Sequence, residues 1–167
     1  MTDVTIRQYQ QSDRESCRSL WVDLTQRHRD IYESSTIGGD DPGQKFDKHL
    51  SRVGGKNIWV AEHEGKVIGM VGLIQDDTEV EPIVVASDYR CRGVGTQLLQ
   101  RVIKKAEELG LRYLSIRPVI RNREAISLFY KTGFRLLGHI DMFMDLNKEP
   151  QITWIPGPEI QGHSFKH

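Results

Sequence analysis

Short apolar runs alternate with longer amphipathic runs along the first half of the chain. The run at residues 4–9 predicts a strand, and the segment 12–32, opened by Ser12 or Asp13, predicts a helix because its apolar residues recur at helical spacing: Cys17, Leu20, Trp21 and Leu24. Residues 34–43 have the composition of a loop, and a short helix from Gln44 to Val53 is expected to follow.

The middle of the chain predicts a hairpin, a third strand and a second long helix. Two β-rich runs flank the turn "EHEGK" within residues 57–75, which is typical of a hairpin. Residues 78–87 predict a further strand, in which Pro82 implies a bulge or irregular pairing. An apolar stripe runs from Val94 to Leu109 and predicts a helix that ends at Gly110.

The last third of the chain continues this alternation as far as residue 147. A strand is expected at residues 111–117, followed by a helix with Asn122 as its N-cap and Gly133 as its C-cap. Its inward-facing residues are expected to be Ala125, Ile126, Leu128 and Phe129. Residues 134–147 predict a last strand or pair of strands. The whole pattern predicts an α/β (α+β) fold in which helices cover a mixed sheet.

The periodic pattern stops at Lys148. Residues 148–167 contain three prolines and show no periodicity, so they are expected to form either a docked arm anchored by Trp154 and Ile155 or a partly disordered tail. We therefore divide the chain into one domain at residues 1–147 and a C-terminal tail at residues 148–167.

Composition places the chain among ordinary globular proteins. It has 167 residues, of which 38% are hydrophobic and 28% charged. The N-terminus lacks the features of a signal peptide and no apolar run approaches a membrane span, so we expect a cytoplasmic protein without a membrane partner. Cys17 and Cys91 are expected to remain free thiols. The six histidines have no metal-ligand spacing, and we expect no metal site and surface or loop positions for His28, His49 and His63.

The charges are balanced overall but unevenly distributed. The formal net charge is zero, which argues against a nucleic-acid partner. Between Ala86 and Arg135, however, eleven Lys or Arg residues face four Asp or Glu residues. Two interpretations of this excess remain open, namely solvated helix faces and a local phosphate site.

The turn between the predicted strand and the helix at Val94 favours the phosphate interpretation. The segment from Arg90 to Gly95 reads R-x-x-G-x-G. Amide groups at a helix N-terminus attract anions, and glycines allow a bulky anion to approach them. The loop lacks the lysine of a Walker-type motif, and Leu98 stands where the dinucleotide fingerprint needs a glycine.

This motif resembles the one found in the GNAT (GCN5-related N-acetyltransferase) superfamily. The later stretch "RNREAISLFYKTGF" is similar to the second signature of that family, with matches at Asn122, Ala125, Phe129, Gly133 and Phe134. The resemblance covers about residues 4–146 and is strongest over residues 79–134.

The resemblance implies a splayed, mixed and mostly antiparallel sheet flanked by helices, and acetyl-CoA as co-substrate. The strand formed by Ile83, Val84 and Val85 would pair with the pantetheine arm, whose amides need backbone partners. The pyrophosphate would lie on the turn formed by Arg90, Cys91, Arg92, Gly93, Val94, Gly95 and Thr96. Asn122 and Phe129 are further candidate cofactor contacts, and Asn122 is also the expected N-cap.

The catalytic residues implied by the resemblance are less complete. Glu79 and Glu81 are the candidate bases, with solvent-facing edge charges as the alternative interpretation. Ser115 stands where other members carry a glutamate. The tyrosine that the family uses as an acid aligns with Phe129, whereas Tyr130 lies one residue, or about 100° of helix, further on. Tyr130 is therefore a doubtful acid and is expected at the surface.

Two functions follow from this resemblance. The first is an N-acetyltransferase that transfers the acetyl group directly to an amine in a ternary complex. The second is a non-catalytic acyl-CoA-binding sensor or scaffold with the same fold. The acidic residues Asp40, Asp41, Asp76, Asp77, Glu79 and Glu81 would suit a cationic amine as acceptor, in a small molecule or a peptide. The sequence leaves the oligomeric state open, a homodimer included.

Overall fold

The computed structural model describes residues 3–76, 78–146, 148 and 152–167. Four strands form one antiparallel sheet in the order β1-β2-β3-β4, and two further strands form a separate hairpin. The strands are β1 (Val4–Gln8), β2 (Ile58–His63), β3 (Lys66–Ile74), β4 (Glu79–Val85), β5 (Pro156–Ile160) and β6 (His163–Lys166). The helices are α1 (Arg14–Tyr32), α2 (Gly43–Val53), α3 (Val94–Glu108) and α4 (Arg123–Lys131). The mixed α/β architecture predicted from the sequence is confirmed.

Two apolar layers hold the helices on opposite faces of the sheet. On one face, α1 and α2 pack against the sheet through a buried cluster that includes Cys17, Trp21, Phe46, Met70 and Val84. On the other face, α3 packs through a cluster that includes Trp59, Val71, Leu98, Leu99 and Val102. Each fully buried Leu, Val or Phe contributes about 1.5–3 kcal/mol, so these clusters fix α3 on the sheet.

An ionic cluster fastens the start of α1 to the sheet. The Asp13 carboxylate accepts hydrogen bonds from Arg7 Nη1 at 2.7 Å and from the backbone N–H of Gln10 at 2.8 Å. Arg7 Nε also donates to Glu62 on β2 at 2.8 Å. The hydrogen bond from Arg7 is the main reason why the pKa of the buried Asp13 carboxyl lies below its usual range.

Strand β4 changes its pairing at the Glu81–Pro82 peptide, which is cis. The register with β3 shifts between Val71 and Leu73, so that Gly72 lies opposite the irregular segment. Val80 and Ile83 both pack in the α3 layer. Residues three apart lie on opposite faces of a regular strand, so the side-chain alternation of β4 is interrupted between these two residues. The irregular pairing predicted at Pro82 is confirmed.

Three sequence-based expectations for the later part of the chain are wrong. Residues 111–117 form no strand and make only a single parallel bridge, between Ser115 and Glu79. Residues 134–146 have no regular structure, and their apolar side chains are largely exposed, with Leu137 fully so. Residue 147 lies outside the described residues. Ile126, expected to face inward, is 38% exposed because α4 turns its other side, with Phe129, toward the cluster around α3.

The tail also differs from the expectation of an aperiodic arm. Its strands β5 and β6 form a hairpin around Gln161 and Gly162, both with positive φ. Arg121 holds this hairpin by donating from Nη2 to the Thr153 carbonyl at 2.7 Å and to the carbonyl of His167. Ile155, proposed as an anchor, is 41% exposed, whereas Trp154 donates from Nε1 to Asp145 at 3.0 Å. No helix among the described residues has the length and apolar character needed to cross a membrane.

Candidate functional site

The loop between β4 and α3 is held by its own arginine. A 3-10 turn at Ser87–Tyr89 follows the strand, and Arg90 Nε donates to the Val85 carbonyl at 3.1 Å. Cys91 and Gly93 have φ of +58° and +83°, so the chain passes twice through the left-handed region before the helix begins. The Arg92 guanidinium lies over the Tyr89 ring at 5.6 Å. The two arginines therefore have different places, one against the strand end and one at the surface.

The N-terminus of α3 has no side-chain cap. Its N-cap is Gly93, and the N–H of Gln97 makes the first helical bond, to the Gly93 carbonyl at 3.1 Å. The preceding amides, those of Val94, Gly95 and Thr96, have no acceptor within the helix and lie at its positive end. Apart from the residues next to it in the chain, no described residue has an atom within 4 Å of the position that a Cβ on Gly93 would take. This opening can admit an anion.

Gly95 has a packing role in the structure. A Cβ built on it would meet Leu128 Cδ2 at 3.0 Å, so its lack of a side chain allows α4 to pack against α3. The two glycines of the motif thus act separately: Gly93 leaves the loop open and Gly95 brings the two helices together.

Over the second half of β4, no described residue pairs with the outer edge of the strand. Ala86 donates to the Ile68 carbonyl on β3 at 2.9 Å, and the antiparallel alternation then directs the N–H and C=O of Val84 toward β3 as well. The backbone groups of Ile83 and Val85 point the other way, toward the outer side of β4. On that side the bridge described is the one between Ser115 and Glu79, at the start of the strand. The end of β4 that leads into the Arg90–Gly95 loop therefore has no partner strand among the described residues.

The two candidate glutamates have different surroundings. Glu79 is 6% exposed, and its carboxylate lies 3.4 Å from Arg117 Nη1. The neighbouring Ser115 fixes this strand end by donating its N–H to the Thr78 carbonyl at 2.8 Å and accepting from the N–H of Val80 at 2.9 Å. Glu81 lies at the irregular segment and is exposed. The ion pair with Arg117 was not anticipated, because nothing in the local sequence links these two residues.

Helix α4 places its three candidate residues on different sides. Asn122 caps the helix, its Oδ1 accepting from the N–H of Ala125 at 3.2 Å, so the N-cap prediction is confirmed. Phe129 is buried and packs edge-on against Phe134 with ring centroids 6.2 Å apart. Tyr130 is 58% exposed beneath the guanidinium of Arg135, which agrees with its expected surface position.

A buried histidine lies beside the irregular segment of β4. His49 on α2 is 6% exposed, which corrects the expectation of a surface position. Its ring lies 5.4 Å from that of Trp21, and its Nε2 has no hydrogen-bond partner among the described residues. Burial lowers the pKa of His49 from 6.5 to about 4, so its imidazole is neutral at pH 7.

The model of the acetyltransferase (GNAT) family matches residues 16–134, more than two thirds of the chain. The chain belongs to the GNAT family. The match begins within α1, includes the Arg90–Gly95 loop, α3 and α4, and ends at Phe134. The GNAT resemblance inferred from the R-x-x-G-x-G turn is thereby confirmed.

Related chains are acetyltransferases by name. A probable N-acetyltransferase, camello, of Xenopus tropicalis is 37% identical over 83 residues, which are 47% of this GNAT chain and 38% of that protein. The chain spans less than half the length of the first curated relatives it matches.

Solved GNAT structures share the fold. An acetyltransferase of the GNAT family from Staphylococcus aureus Mu50 superimposes with a TM-score of 0.65 at 18% identity, covering 78% of this chain and 84% of that one. A Mycobacterium tuberculosis protein solved in complex with CoA superimposes with a TM-score of 0.55 at 20% identity, covering 77% and 70% respectively. A CoA-binding protein is thus among the structural neighbours.

Proposed function

We propose that this chain is an acetyl-CoA-dependent N-acetyltransferase that transfers the acetyl group directly to an amine. The observation that carries the proposal is the continuity of two features: the edge of β4 at Ile83 and Val85, which no described strand pairs with, leads through residues 86–92 to the uncapped N-terminus of α3 at Gly93. An amide chain ending in a pyrophosphate needs both, in that order.

The pyrophosphate would accept hydrogen bonds from the amides of Val94, Gly95 and Thr96, with positive charge from Arg92. Arg90 already donates to the Val85 carbonyl, so its role is to hold the loop as well as to add charge. The pantetheine amides would pair with the backbone N–H and C=O of Ile83 and with the N–H of Val85, whose carbonyl already accepts from Arg90. This route directs the thioester toward the irregular segment at Glu81 and Pro82.

The transfer needs a neutral amine and a route for one proton. The amine nitrogen would attack the thioester carbonyl carbon, the C–S bond would break, and CoA would leave as a thiolate. The proton lost by the amine would pass to a carboxylate on β4. Glu81 is exposed and open to direct contact, whereas Glu79 is buried beside Arg117 and would act through water.

No tyrosine on α4 is needed in this scheme. Phe129 occupies the buried position and has no hydroxyl, and Tyr130 lies on the exposed side. A thiolate has modest proton affinity and can leave without an acid or take a proton from water. The lack of a tyrosine at the position of Phe129 also favours the second candidate function, a non-catalytic acyl-CoA sensor or scaffold.

The acceptor class rests on the acidic residues that could attract a cationic amine. Asp41 is paired with Arg18 at 3.3 Å and Glu79 with Arg117, while Asp77 lies outside the described residues. Glu81 and the exposed residues Asp40 and Asp76 remain to attract a cation. We propose an amine that is positively charged before it reaches the site.

Binding and turnover of acetyl-CoA test the proposal separately. Gly93→Val is expected to abolish acetyl-CoA binding measured by calorimetry, because the side chain would fill the opening above the α3 amides. Gly110→Val is the matched control, since Gly110 also has positive φ and open surroundings but lies at the other end of α3. Retained affinity in Gly93→Val would refute the assignment of the loop.

Release of CoA thiol with a panel of peptides, polyamines and amino acids then separates the two functions. Turnover with at least one amine supports the enzyme. Tight binding of acetyl-CoA without turnover on any amine of the panel supports the sensor.

A further inference from the structure

A second cleft lies beside the middle and the C-terminal half of α3 and is lined by cationic and amide side chains. It has a volume of about 420 Å³ and is formed at the end of the sheet where β1 and β3 end and β2 begins. Its polar lining consists of Gln8, Lys56, Asn57, Gln75, Arg101 and Lys105. Arg101 is eight residues beyond Gly93, or about 12 Å along the helix axis. The cleft is therefore separate from the Arg90–Gly95 loop.

The centre of this cleft is the Arg101 guanidinium. It lies over the buried indole of Trp59 at 4.9 Å, which fixes the plane of the guanidinium on the sheet. Arg101 Nη1 is buried and has no hydrogen-bond partner among the described residues. This nitrogen is closed to solvent, so a ligand in the cleft would contact the part of the Arg101 side chain that lines it.

Two further cations flank Arg101. Lys105 lies one turn later on the same side of α3, and Lys56 immediately precedes β2. Lys105 has an acidic neighbour in Glu108, at 3.7 Å on the same helix. The amides are largely engaged with the protein: Gln75 donates to Asn57 at 2.5 Å, and Gln8 donates to the Lys56 carbonyl at 2.6 Å. The cations are thus the groups left to select the ligand.

We infer that this cleft binds a phosphate group, either inorganic phosphate or the phosphate of a small monoester. A planar guanidinium fixed on an aromatic ring matches two oxygens of a phosphate, and two lysines nearby match its second negative charge. The volume exceeds that of phosphate alone and lies within the range of small-molecule sites. This inference does not depend on the proposed acetyl transfer.

Calorimetry with inorganic phosphate tests the site in the full chain at constant ionic strength. Arg101→Gln is expected to weaken phosphate binding about tenfold or more, because a charge-assisted hydrogen-bond pair is lost. Lys104→Gln is the matched control, since Lys104 is exposed on the same helix, three residues further along, and it should bind phosphate like the wild type. Arg101→Lys keeps the charge without the fork, should fold, and should bind more weakly than the wild type.

Four results would overturn the inference. They are an absence of phosphate binding by the wild-type protein, equally tight binding of chloride at the same ionic strength, equal losses of phosphate affinity in Lys104→Gln and Arg101→Gln, and loss of phosphate binding in Gly93→Val but not in Arg101→Gln. If Arg101→Gln does not fold, as judged by circular dichroism, Arg101→Lys and Lys56→Gln carry the same comparison.

Discussion

Replacing Gly72 with Ala is expected to destabilise the protein and to displace the irregular segment of β4. A Cβ at this position would lie 2.3 Å from the Glu81 carbonyl oxygen and 3.0 Å from His49 Nε2. The first contact is with backbone, so relief requires β4 to move away from β3. The side chain of His49 cannot provide that relief by rotating.

The magnitude follows from two opposing terms. Overpacking of this kind costs about 1–3 kcal/mol. Replacing a strand glycine by alanine returns about 0.5–1 kcal/mol, since alanine loses less conformational freedom on folding. Because the closest atom belongs to the backbone, we expect a net loss of about 2 kcal/mol. For a chain of this size that lowers Tm by about 4–8 °C.

Thermal unfolding followed by circular dichroism measures this change. Gly138→Ala is the control, because Gly138 has no atom within 4 Å of its Cβ position and no positive φ, and it should stay within about 0.5 kcal/mol of the wild type. His49→Ala added to Gly72→Ala should not restore Tm. Equal Tm values for Gly72→Ala and Gly138→Ala, or rescue by His49→Ala, would show that the approach of Glu81 to Gly72 does not fix the segment.

Three further predictions concern protons. Tyr130→Phe should leave the maximal rate of acetylation within about threefold, because its hydroxyl lies on the exposed side of α4; a tenfold drop at unchanged acetyl-CoA affinity would identify Tyr130 as the acid. One of Glu79→Gln and Glu81→Gln should shift the pH–rate profile to higher pH, where the amine is already neutral, and unshifted profiles in both would exclude a β4 carboxylate as base. The unfolded chain protonates His49 near pH 6.5 whereas the folded protein keeps it neutral to about pH 4, so protonation favours unfolding as pH falls through this range. His49→Gln should reduce this loss of stability, and an unchanged dependence of Tm on pH would contradict the buried position of the ring.

Local signals predicted the parts of the fold that local interactions form. The stripe of α3, the Asn122 cap and the irregular pairing at Pro82 each depend on a few neighbouring residues, and all were predicted. Residues 111–117 have the composition of a strand, but a strand also needs a pairing partner, and β4 is met only at Ser115. The hairpin of β5 and β6 turns at the Gln161-Gly162 dipeptide, where both residues have positive φ and glycine is the sequence signal of a turn.

The site was only partly predictable for the same reason. The Arg90–Gly95 loop is continuous in sequence and could be recognised by its spacing. The different burial of Glu79 and Glu81 depends on Arg117, on the bridge to Ser115 and on the altered register of β4, which involve residues about 35 positions apart. The cleft at Arg101 combines side chains from in and around β1, β2, β3 and α3, so no single segment of the sequence predicts it.

The shortness of the open edge on β4 has a consequence for self-association. An exposed strand edge can pair with another chain and start aggregation, and the risk grows with its length. Here Ser115 covers the strand at Glu79, Pro82 offers no N–H, and Arg90 occupies the Val85 carbonyl. The stretch left over is too short to stabilise a hairpin or a foreign strand, which needs several consecutive pairs, but one or two amides fit it. The edge therefore discourages fibrillar pairing between copies while it stays accessible to a short amide chain.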